Sequence, residues 1–394
     1  MRVEKLFNFR DLHFFWKLYK DREPSLKRKY KYVFSALLIL LFGSLFVTYA
    51  HFAERRASAK SKTEVELAAL TSLEAYNQYF QGRNYWNRRD EHSLRKAIGF
   101  FNKATHLDPT MAQAYSGIAD CYAALGYGSY ESPDSAFLKA EAAALRALQL
   151  DTTLADAHTS LGYIRFYYYR DWAGAEKEFT KAIQSDPHYD AAFDSYSYYL
   201  TALGRFPEAG VAIERALQIN PLSAQINTDK GFFLYYSGHY EEAVRSLRSA
   251  LDINPKNPLT HLWLGRSYQE LKMYKEAIPE FRLVLGSNKN WPVALAALGY
   301  VYGIAGQQEK AAGILDTLLA LDRTQFVTPY GIALLYLSLN NKDKTFDWLE
   351  KAYVGHSNWL VWLKLDPRWL PVRQDRRYND LLARVGLVSE KDSL

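Results

Sequence analysis

The stretch LTHLWLGRSYQELKMYKEAIPEFRLVL, residues 259–285, contains two apolar-periodic segments separated by a short polar turn. The first covers residues 260–272 and the second residues 275–285, and both have the spacing of an amphipathic helix. Gly265 lies on the first segment at a position that faces the second, and so small a residue lets the two backbones approach closely. The stretch therefore predicts a helical hairpin.

The same hairpin recurs along the chain with a period of 34 residues. One position of the second helix repeats at this spacing as Ala175, Ala209, Ala243, Ala277, Ala311 and Thr345. Ala140 and Ala97 continue the series upstream, at spacings of 35 and 43 residues. A period of this length is typical of arrays in which each repeat packs on its neighbours. The sequence thus predicts an all-α solenoid of about eight hairpins over residues 72–354.

These features resemble the tetratricopeptide repeat family. In that family a small residue stands on the first helix, alanines stand on the second, and a proline closes the unit, as Pro187, Pro221 and Pro255 do here. Proline lacks the amide hydrogen and restricts the residue before it, so it stops the second helix. The resemblance implies an α-solenoid closed by a C-terminal cap and tail at residues 355–394, with a capping helix at residues 376–385.

The resemblance also implies a concave groove lined by first-helix residues, the positions that carry partner binding in this architecture. The predicted partner-binding set comprises Tyr163, Phe166, Tyr167, Tyr198, Phe232, Tyr235, Tyr236, Arg266, Gln269 and Tyr300. Aromatic rings with polar tips suit a groove that holds a protein or peptide ligand. The alternative is that these rings pack against one another or beneath an insertion, and the two arrangements are compatible.

Three units depart from the regular length, and the first of them carries three extra residues around NRRDEH, residues 87–92. The second hairpin carries nine extra residues, GYGSYESPD at residues 126–134, which predict a protruding loop. The third carries one extra residue within FYYYRDW, residues 166–172. The array is therefore expected to be continuous but not uniform.

Residues 32–53, YVFSALLILLFGSLFVTYAHFA, carry no formal charge over 22 positions. A helix of this length crosses the hydrocarbon core of a bilayer. Tyr32, Tyr49 and Phe52 lie near its ends, where aromatic rings suit the headgroup region. Because the segment is apolar on every face and lies outside the repeat register, the sequence favours a transmembrane helix over a buried core helix. Residues 54–71 would then link it to the repeats.

The positive charge of the chain is concentrated before this segment. Residues 1–31 carry ten Lys or Arg and four acidic residues, a net charge of +6, so the remaining 39 basic and 39 acidic residues cancel. The repeat region therefore lacks the excess positive charge that nucleic acid would attract. Ten basic residues before the span against four just after it predict a single-pass protein with a cytoplasmic N-terminus and a periplasmic or otherwise extracytoplasmic repeat domain.

Residues 1–31 also form a predicted basic, amphipathic leader, because apolar residues recur in it at near-helical spacing. Its expected contacts with lipid or with other membrane subunits are Phe14, Phe15, Trp16, Lys27, Arg28, Lys29 and Lys31. Anionic headgroups attract basic clusters next to a span. A solvated flank and docking on another membrane subunit stay open as alternatives.

No motif in the sequence assembles catalytic chemistry. It lacks a G-x-x-x-x-G-K phosphate loop, an H-E-x-x-H metal motif and a pair of cysteines. His158 and His261 stand singly at first-helix packing positions, where structural histidines are expected. The lone Cys121 is expected to be a small core residue. We therefore expect no enzymatic activity, no metal and no cofactor.

A closer resemblance is to a bacterial subgroup in which such a repeat block follows a transmembrane helix, as in CadC-type winged-helix regulators and some class III adenylate cyclases. It rests on residues 73–105 and 359–387, which look like the entry and exit segments of that block. The 31 residues before the span are too few for a winged helix or a cyclase, so the effector is expected to be missing. The expected function is a membrane-anchored scaffold that binds protein through the aromatic groove. The alternatives are a sensory or signalling component coupled to a separate cytoplasmic effector and an accessory subunit of a membrane complex.

Overall fold

A computed structural model describes the backbone of residues 24–388 and, within that range, the side chains of Ser35, Leu40, residues 42–56 and residues 68–388. Every regular element of the described backbone is helical, so the predicted all-α class is confirmed. The α-helices are, in chain order, α1 Pro24–Trp86, α2 Glu91–Leu107, α3 Ala112–Tyr127, α4 Pro133–Leu150, α5 Ala155–Ile164, α6 Trp172–Ser185, α7 Asp190–Ala202, α8 Phe206–Ile219, α9 Ala224–Tyr236, α10 Tyr240–Ile253, α11 Pro258–Glu270, α12 Tyr274–Ser287, α13 Pro292–Ile304, α14 Gln308–Leu321, α15 Pro329–Ser338, α16 Lys342–Val354 and α17 Arg376–Val385.

The contacts divide the chain into two units that meet between Thr71 and Ser72. In the second unit the helices from the end of α1 to α16 pair successively into eight hairpins, and each hairpin packs on the next. This is the solenoid that the 34-residue period predicts. Odd-numbered helices are the first helices of their hairpins, and we call the surface that α3, α5, α7, α9 and α11 form the inner face.

Glycines on the first helices allow the close packing within hairpins. A Cβ atom at Gly162 would lie 2.8 Å from the ring of Phe179 on the paired helix α6. A Cβ atom at Gly265 would lie 2.6 Å from Phe281 on α12. Both phenylalanines are fully buried, so a side chain at either glycine would push the two helices apart. The packing therefore explains why a small residue stands at these positions.

The turns inside the hairpins repeat a left-handed backbone conformation. Six residues at 34-residue intervals have positive φ between 55° and 84°, namely Arg170, Gly204, Gly238, Lys272, Gly306 and Asn340. After Gly238 the amide of His239 donates to the carbonyl of Leu234 at 2.9 Å, which satisfies an end group of the first helix. Glycine adopts this conformation at the lowest cost. The turn geometry thus carries the same period as the packing residues.

The extra residue of the third hairpin is absorbed inside its first helix. After Ile164 the chain continues as a single π-helical turn, Arg165–Tyr169, before the left-handed Arg170. A π turn contains one more residue than an α turn, so the insertion widens the helix without shifting the register of the next helix. The widened turn brings Phe166 and Tyr167 into the core, where both are fully buried.

The nine-residue insertion does not protrude, so that prediction is wrong. Its first two residues end α3, and the loop that follows folds inward against distant parts of the array. The ring of Tyr130 stacks on Trp291 of the seventh hairpin with centroids 5.5 Å apart. The indole of Trp291 donates to the carbonyl of Gly128 at 2.8 Å. Burying two aromatic rings is worth more than leaving the loop solvated.

The described part of the first unit is the helix α1 up to Thr71. Leu40, Phe42, Phe46 and Phe52 are exposed along it. Among the residues that the structure describes, no helix carries an apolar stretch long enough to cross a bilayer. Several side chains of the predicted span, at positions 32–34, 36–39 and 41, lie outside the described residues.

The predicted leader contacts fall outside what the structure describes. The backbone of Phe14, Phe15 and Trp16 is outside the described range, and so are the side chains of the four basic residues, Lys27, Arg28, Lys29 and Lys31. These assignments stay predictions.

The closing helix occurs at the predicted position as α17, and it ends at Gly386 with φ +78°. Its Arg384 pairs with Glu350 on α16. The hydroxyl of Tyr378 donates to the carbonyl of Leu363 at 2.6 Å. The helix therefore packs on the last hairpin, whereas residues 358–372, which precede it, lie along the inner face.

Candidate functional site

Between α16 and α17 the chain returns along the inner face of the solenoid. We call residues 358–372 the C-terminal segment; it contains two short 3-10 helices, Asn358–Trp362 and Pro367–Val372. Trp362 is fully buried among rings of the first helices, with centroids 4.6 Å from Tyr236 and 4.8 Å from Phe232. The segment thus fills the groove that the sequence predicts as a binding site.

The second hairpin holds the other side of this segment. The amide group of Asn358 donates to the carbonyl of Tyr127 at 3.2 Å, and the indole of Trp359 donates to Ser129 at 3.3 Å. The ring of Trp359 stacks on Tyr127 with centroids 5.8 Å apart. These partners are more than two hundred residues apart in sequence, so the inserted loop and the C-terminal segment close the groove together.

A buried ion pair anchors the segment further along. Asp366 is fully buried and accepts hydrogen bonds from Nη2 of Arg368 at 2.6 Å and from the hydroxyl of Tyr330 at 2.7 Å. The indole of Trp369 donates to the same hydroxyl at 2.6 Å. Burial acts to raise the pKa of the Asp366 carboxyl, but the Arg368 guanidinium outweighs it and holds that pKa below its usual value. Arg368 is therefore a core residue.

Nine of the ten predicted groove residues are buried, and Tyr163 is half-buried. Several of the rings contact one another, as the alternative expectation has it: Phe166 lies 4.2 Å from Tyr167 and Tyr198 lies 4.4 Å from Phe232, measured between centroids. The C-terminal segment covers them further. The structure thus brings these rings together, under a part of the chain itself.

Arg266 is the unusual member of this set. It is 3% exposed and stacked between the rings of Trp263 and Trp359, at 4.5 and 4.9 Å from their centroids. Its Nε and Nη1 atoms have no hydrogen-bond partner within the described residues. Burial, together with the charge of Arg368, lowers the pKa of its guanidinium. Aromatic stacking replaces the carboxylate that a buried arginine usually has.

A pocket of about 110 Å³ stays open on the inner face beside Trp291 and Tyr127. Carboxyl groups from three first helices line it, Asp120 of α3, Asp194 of α7 and Asp229 of α9. These three residues are not among those that the sequence predicts for the groove. Their positions on first helices do indicate that they face the inner side of the array. Which of these acidic residues meet is decided only by the curvature of the array.

The electrostatics of the pocket differ between its carboxyl groups. Asp120 accepts a hydrogen bond from Ser160 at 2.6 Å and pairs with Arg83 at 3.3 Å. Asp229 is 2% exposed and accepts hydrogen bonds from Gln225 and from the hydroxyl of Tyr198. Burial raises the pKa of Asp194 well above its ordinary value, and the nearby charge of Asp229 adds to the effect.

Nothing in the described residues assembles a metal centre, since no group of three or more His, Cys, Asp or Glu side chains is placed to hold an ion. His158 and His261 each bond a glutamate of the paired second helix, His158 at 2.6 Å from Glu178 and His261 at 2.5 Å from Glu280. Cys121 is fully buried. These residues are structural in the array.

Family models match the middle of the chain. Residues 231–272 match a model described as TPR repeat, and residues 260–290 match one described as Tetratricopeptide repeat. Among curated proteins, the transcriptional regulator HilA of Salmonella typhimurium is 23% identical over 169 residues. This region is 42% of the present chain and 30% of HilA, so the similarity is local.

Solved structures share the architecture. The APC/C hetero-tetramer Cut9-Hcn1 matches with a TM-score of 0.54 and 18% identity, over 77% of this chain and 54% of that one. Pseudomonas aeruginosa PilF matches with a TM-score of 0.39 and 19% identity, over 58% of this chain and 98% of that one. At 18% identity the match to Cut9-Hcn1 shows the fold alone. The chain therefore contains tetratricopeptide repeats, stacked as the α-solenoid of that repeat family.

Proposed function

We propose that this chain is a membrane-anchored, non-enzymatic scaffold that binds a protein partner outside the cytoplasm. The observation that carries the proposal is an apolar stripe on α1, made of Leu73, Tyr76 and Phe80. Their exposed fractions are 60%, 49% and 64%. Spacings of three and four residues place them on one face of the helix.

The position of this stripe explains why a partner is expected there. In a solenoid the outer face of each hairpin is covered by the next, and a free end needs a polar surface to stay soluble. The stripe belongs to the first hairpin, yet its surface is apolar. A partner helix with apolar residues at matching spacing would bury these three side chains in the way that a preceding hairpin does.

The aromatic groove supports the proposal less directly. The C-terminal segment already inserts Trp359 and Trp362 into it, so the inner face accommodates aromatic side chains from a short helical segment. A protein ligand at those rings has to displace a well-packed part of the same chain. Partner binding in the groove is therefore expected to compete with the C-terminal segment, whereas the α1 stripe needs no rearrangement.

The membrane part of the proposal rests on residues 32–53. Their uncharged sequence is long enough to span a bilayer, and Phe42, Phe46, Tyr49 and Phe52 are exposed on α1, as lipid-facing side chains would be. The basic residues before position 32 favour a cytoplasmic N-terminus. The leader would then contact lipid or another membrane subunit on the cytoplasmic side.

A second candidate function is a sensory or signalling component that acts on a separate cytoplasmic effector. The local similarity to HilA supports it, because that protein is a transcriptional regulator and shares a stretch of 169 residues with this chain. An accessory subunit of a membrane complex is the remaining alternative, and it predicts a stable partner at the leader. Capture from a photo-reactive residue at Phe15 as well as from the α1 stripe would favour these two functions over a simple scaffold.

A photo-crosslinking experiment on the full-length chain in native membranes tests the scaffold. A photo-reactive residue replaces Tyr76, and the matched control replaces Val211, which is 72% exposed on the second helix α8. We expect one protein, identified by mass spectrometry, to be captured at Tyr76 and not at Val211. Capture should be lost when Phe80→Glu is added, and the purified partner should rebind the unmodified chain. Equal capture at both positions, or none, would refute the proposal.

Membrane anchoring and orientation have a separate test. Because Cys121 is fully buried, a cysteine introduced by Val211→Cys is the only thiol expected to react in the folded chain. An impermeant maleimide should label it in cells whose outer envelope alone is permeabilised, and the protein should resist carbonate extraction unless residues 32–53 are deleted. Labelling only after full lysis would place the repeats in the cytoplasm.

A further inference from the structure

The open pocket on the inner face contains two carboxyl groups that no cation of the described residues contacts directly, although the charge of Arg89, which also lines the pocket, acts on both. Asp194 and Asp229 both line it, and among the described residues no Lys, Arg or His forms an ion pair with either within 4.0 Å. Asp120, the third carboxyl group, has its own cation in Arg83. Buried carboxylates are costly unless a cation or several hydrogen bonds compensate them. Burial, the charge of Asp229 and a hydrogen bond between the two carboxyl groups raise the pKa of Asp194.

Hydrogen-bond capacity in the pocket is also unused. Tyr127 is 9% exposed and lines the pocket, and within the described residues its hydroxyl has no hydrogen-bond partner of normal geometry. The buried Oδ1 of Asp194 and Oε1 of Gln225 are likewise without a donor. Native proteins satisfy most of their buried polar atoms. Because these atoms are acceptors, or can act as acceptors, they suit a ligand that only donates, which describes ammonium and guanidinium groups.

Aromatic rings surround the carboxyl pair. The rings of Tyr163 and Tyr198 lie 6.1 and 6.2 Å from that of Tyr127, measured between centroids, and all three line the pocket. Ring faces attract cations. The wall of the pocket already contains one such contact, because the guanidinium of Arg89 lies 3.5 Å from the centroid of Trp86. The carboxyl groups thus complement the charge of an organic cation, and the aromatic rings complement its shape.

We propose that this pocket binds an organic cation of the ammonium or guanidinium type, with Asp194 and Asp229 as its counter-charge and the rings of Tyr127, Tyr163 and Tyr198 around its alkyl part. A volume of about 110 Å³ admits a small head group on a short chain. The cation is either a free alkyl amine or guanidine, or one Lys or Arg side chain of a bound protein. This site is distinct from the α1 stripe and does not rest on it.

Calorimetric titration of the full-length chain tests the proposal. The probes are n-butylammonium and n-propylguanidinium as free cations, n-propylurea as the neutral analogue, and acetyl-Gly-Arg-Gly-amide as the peptide. We expect the cations to bind and the urea not to bind. Asp194→Asn should weaken cation binding by about tenfold or more, since it removes a charge-assisted hydrogen bond. The matched control Asp316→Asn, on the exposed side of α14, should leave binding unchanged.

The remaining measurements distinguish a free small molecule from a protein side chain as the source of the cation, and they control for misfolding of a variant. Tighter binding of the peptide than of n-propylguanidinium assigns the cation to a protein side chain, and equal binding assigns it to a free small molecule. Tyr127→Phe retains the ring and should weaken binding about threefold to tenfold, so it tests the site even if Asp194→Asn fails to fold. Equal binding of cation and urea, or unchanged cation binding in both folded variants, would overturn the proposal.

Discussion

Replacing Trp362 with alanine is expected to lower the free energy of unfolding by about 4 kcal/mol. A buried indole withdraws roughly 200 Å² from water, and at about 25 cal/mol per Å² this is worth about 5 kcal/mol, part of which alanine retains. Within the described residues the indole nitrogen has no hydrogen-bond partner, so the cost comes from packing alone. Measured losses for buried tryptophan or phenylalanine, about 3–5 kcal/mol, agree with this value.

Urea unfolding of the full-length chain, followed by circular dichroism, measures this change. With a slope of about 2–3 kcal/mol per molar urea, the midpoint should fall by roughly 1.3–2 M. The matched control is Leu370→Ala in the same segment, which is 60% exposed and should cost less than about 0.5 kcal/mol. If Trp362→Ala shifts the midpoint no more than this control, the C-terminal segment does not occupy the groove and the reasoning is refuted.

Three further changes test other parts of the structure. Gly265→Ala should destabilise the chain by about 1–3 kcal/mol, because its Cβ atom would lie 2.6 Å from a buried ring. At Gly313 no atom lies within 4 Å of an added Cβ, so Gly313→Ala should stabilise the chain by about 0.5–1 kcal/mol. Thermal unfolding measures both changes, and equal effects of the two substitutions would contradict the close packing at Gly265. The hydrogen bond to Glu280 raises the pKa of His261, so the pair stabilises the fold fully at low pH and loses this contribution as pH rises through the raised pKa. His261→Gln should therefore cost up to about 1 kcal/mol at pH 5.5 and less at pH 8.5 in urea unfolding, and a cost that grows with pH would argue against the pair. Burial raises the pKa of the Cys121 thiol, so a maleimide should label it only when urea unfolds the chain, and rapid labelling of the folded protein would contradict its position in the core.

The hairpins could be predicted because their determinants are local. The small residue at Gly265, the apolar spacing around it and the prolines after the second helices act within one hairpin or between neighbours. The left-handed turn position repeats with the same period, through Gly204, Gly238 and Gly306. Such periodic signals are visible in the sequence itself, so the solenoid and the closing helix could be predicted from it.

The occupant of the groove could not be predicted in this way. The sequence indicates aromatic residues on the first helices, but it equally allows a partner or a part of the same chain to cover them. Trp362 of the C-terminal segment inserts among rings of earlier hairpins. The reason is that the curvature of the array, summed over many hairpins, brings the C-terminal segment back onto its inner face.

The candidate cation pocket likewise depends on the tertiary structure and not on local signals in the sequence. Asp194 and Asp229 lie 35 residues apart, on neighbouring first helices, and each by itself looks like an ordinary polar residue of an inner face. Only the packed array brings both into one pocket in which no cation of the described residues contacts them directly. Tyr127 joins them from two hairpins upstream of Asp194, which no local pattern indicates.

The sequence by itself therefore determined the repeat unit, its number and its turns, because these depend on spacings of a few residues and on a period of 34. The tertiary structure alone decided that the inserted loop meets Trp291, that the C-terminal segment fills the groove and that two carboxyl groups share a pocket. Contacts between residues more than a hundred positions apart depend on small rotations accumulated from hairpin to hairpin. The accumulated rotation is not a property of any single hairpin, so these contacts form only in the folded array.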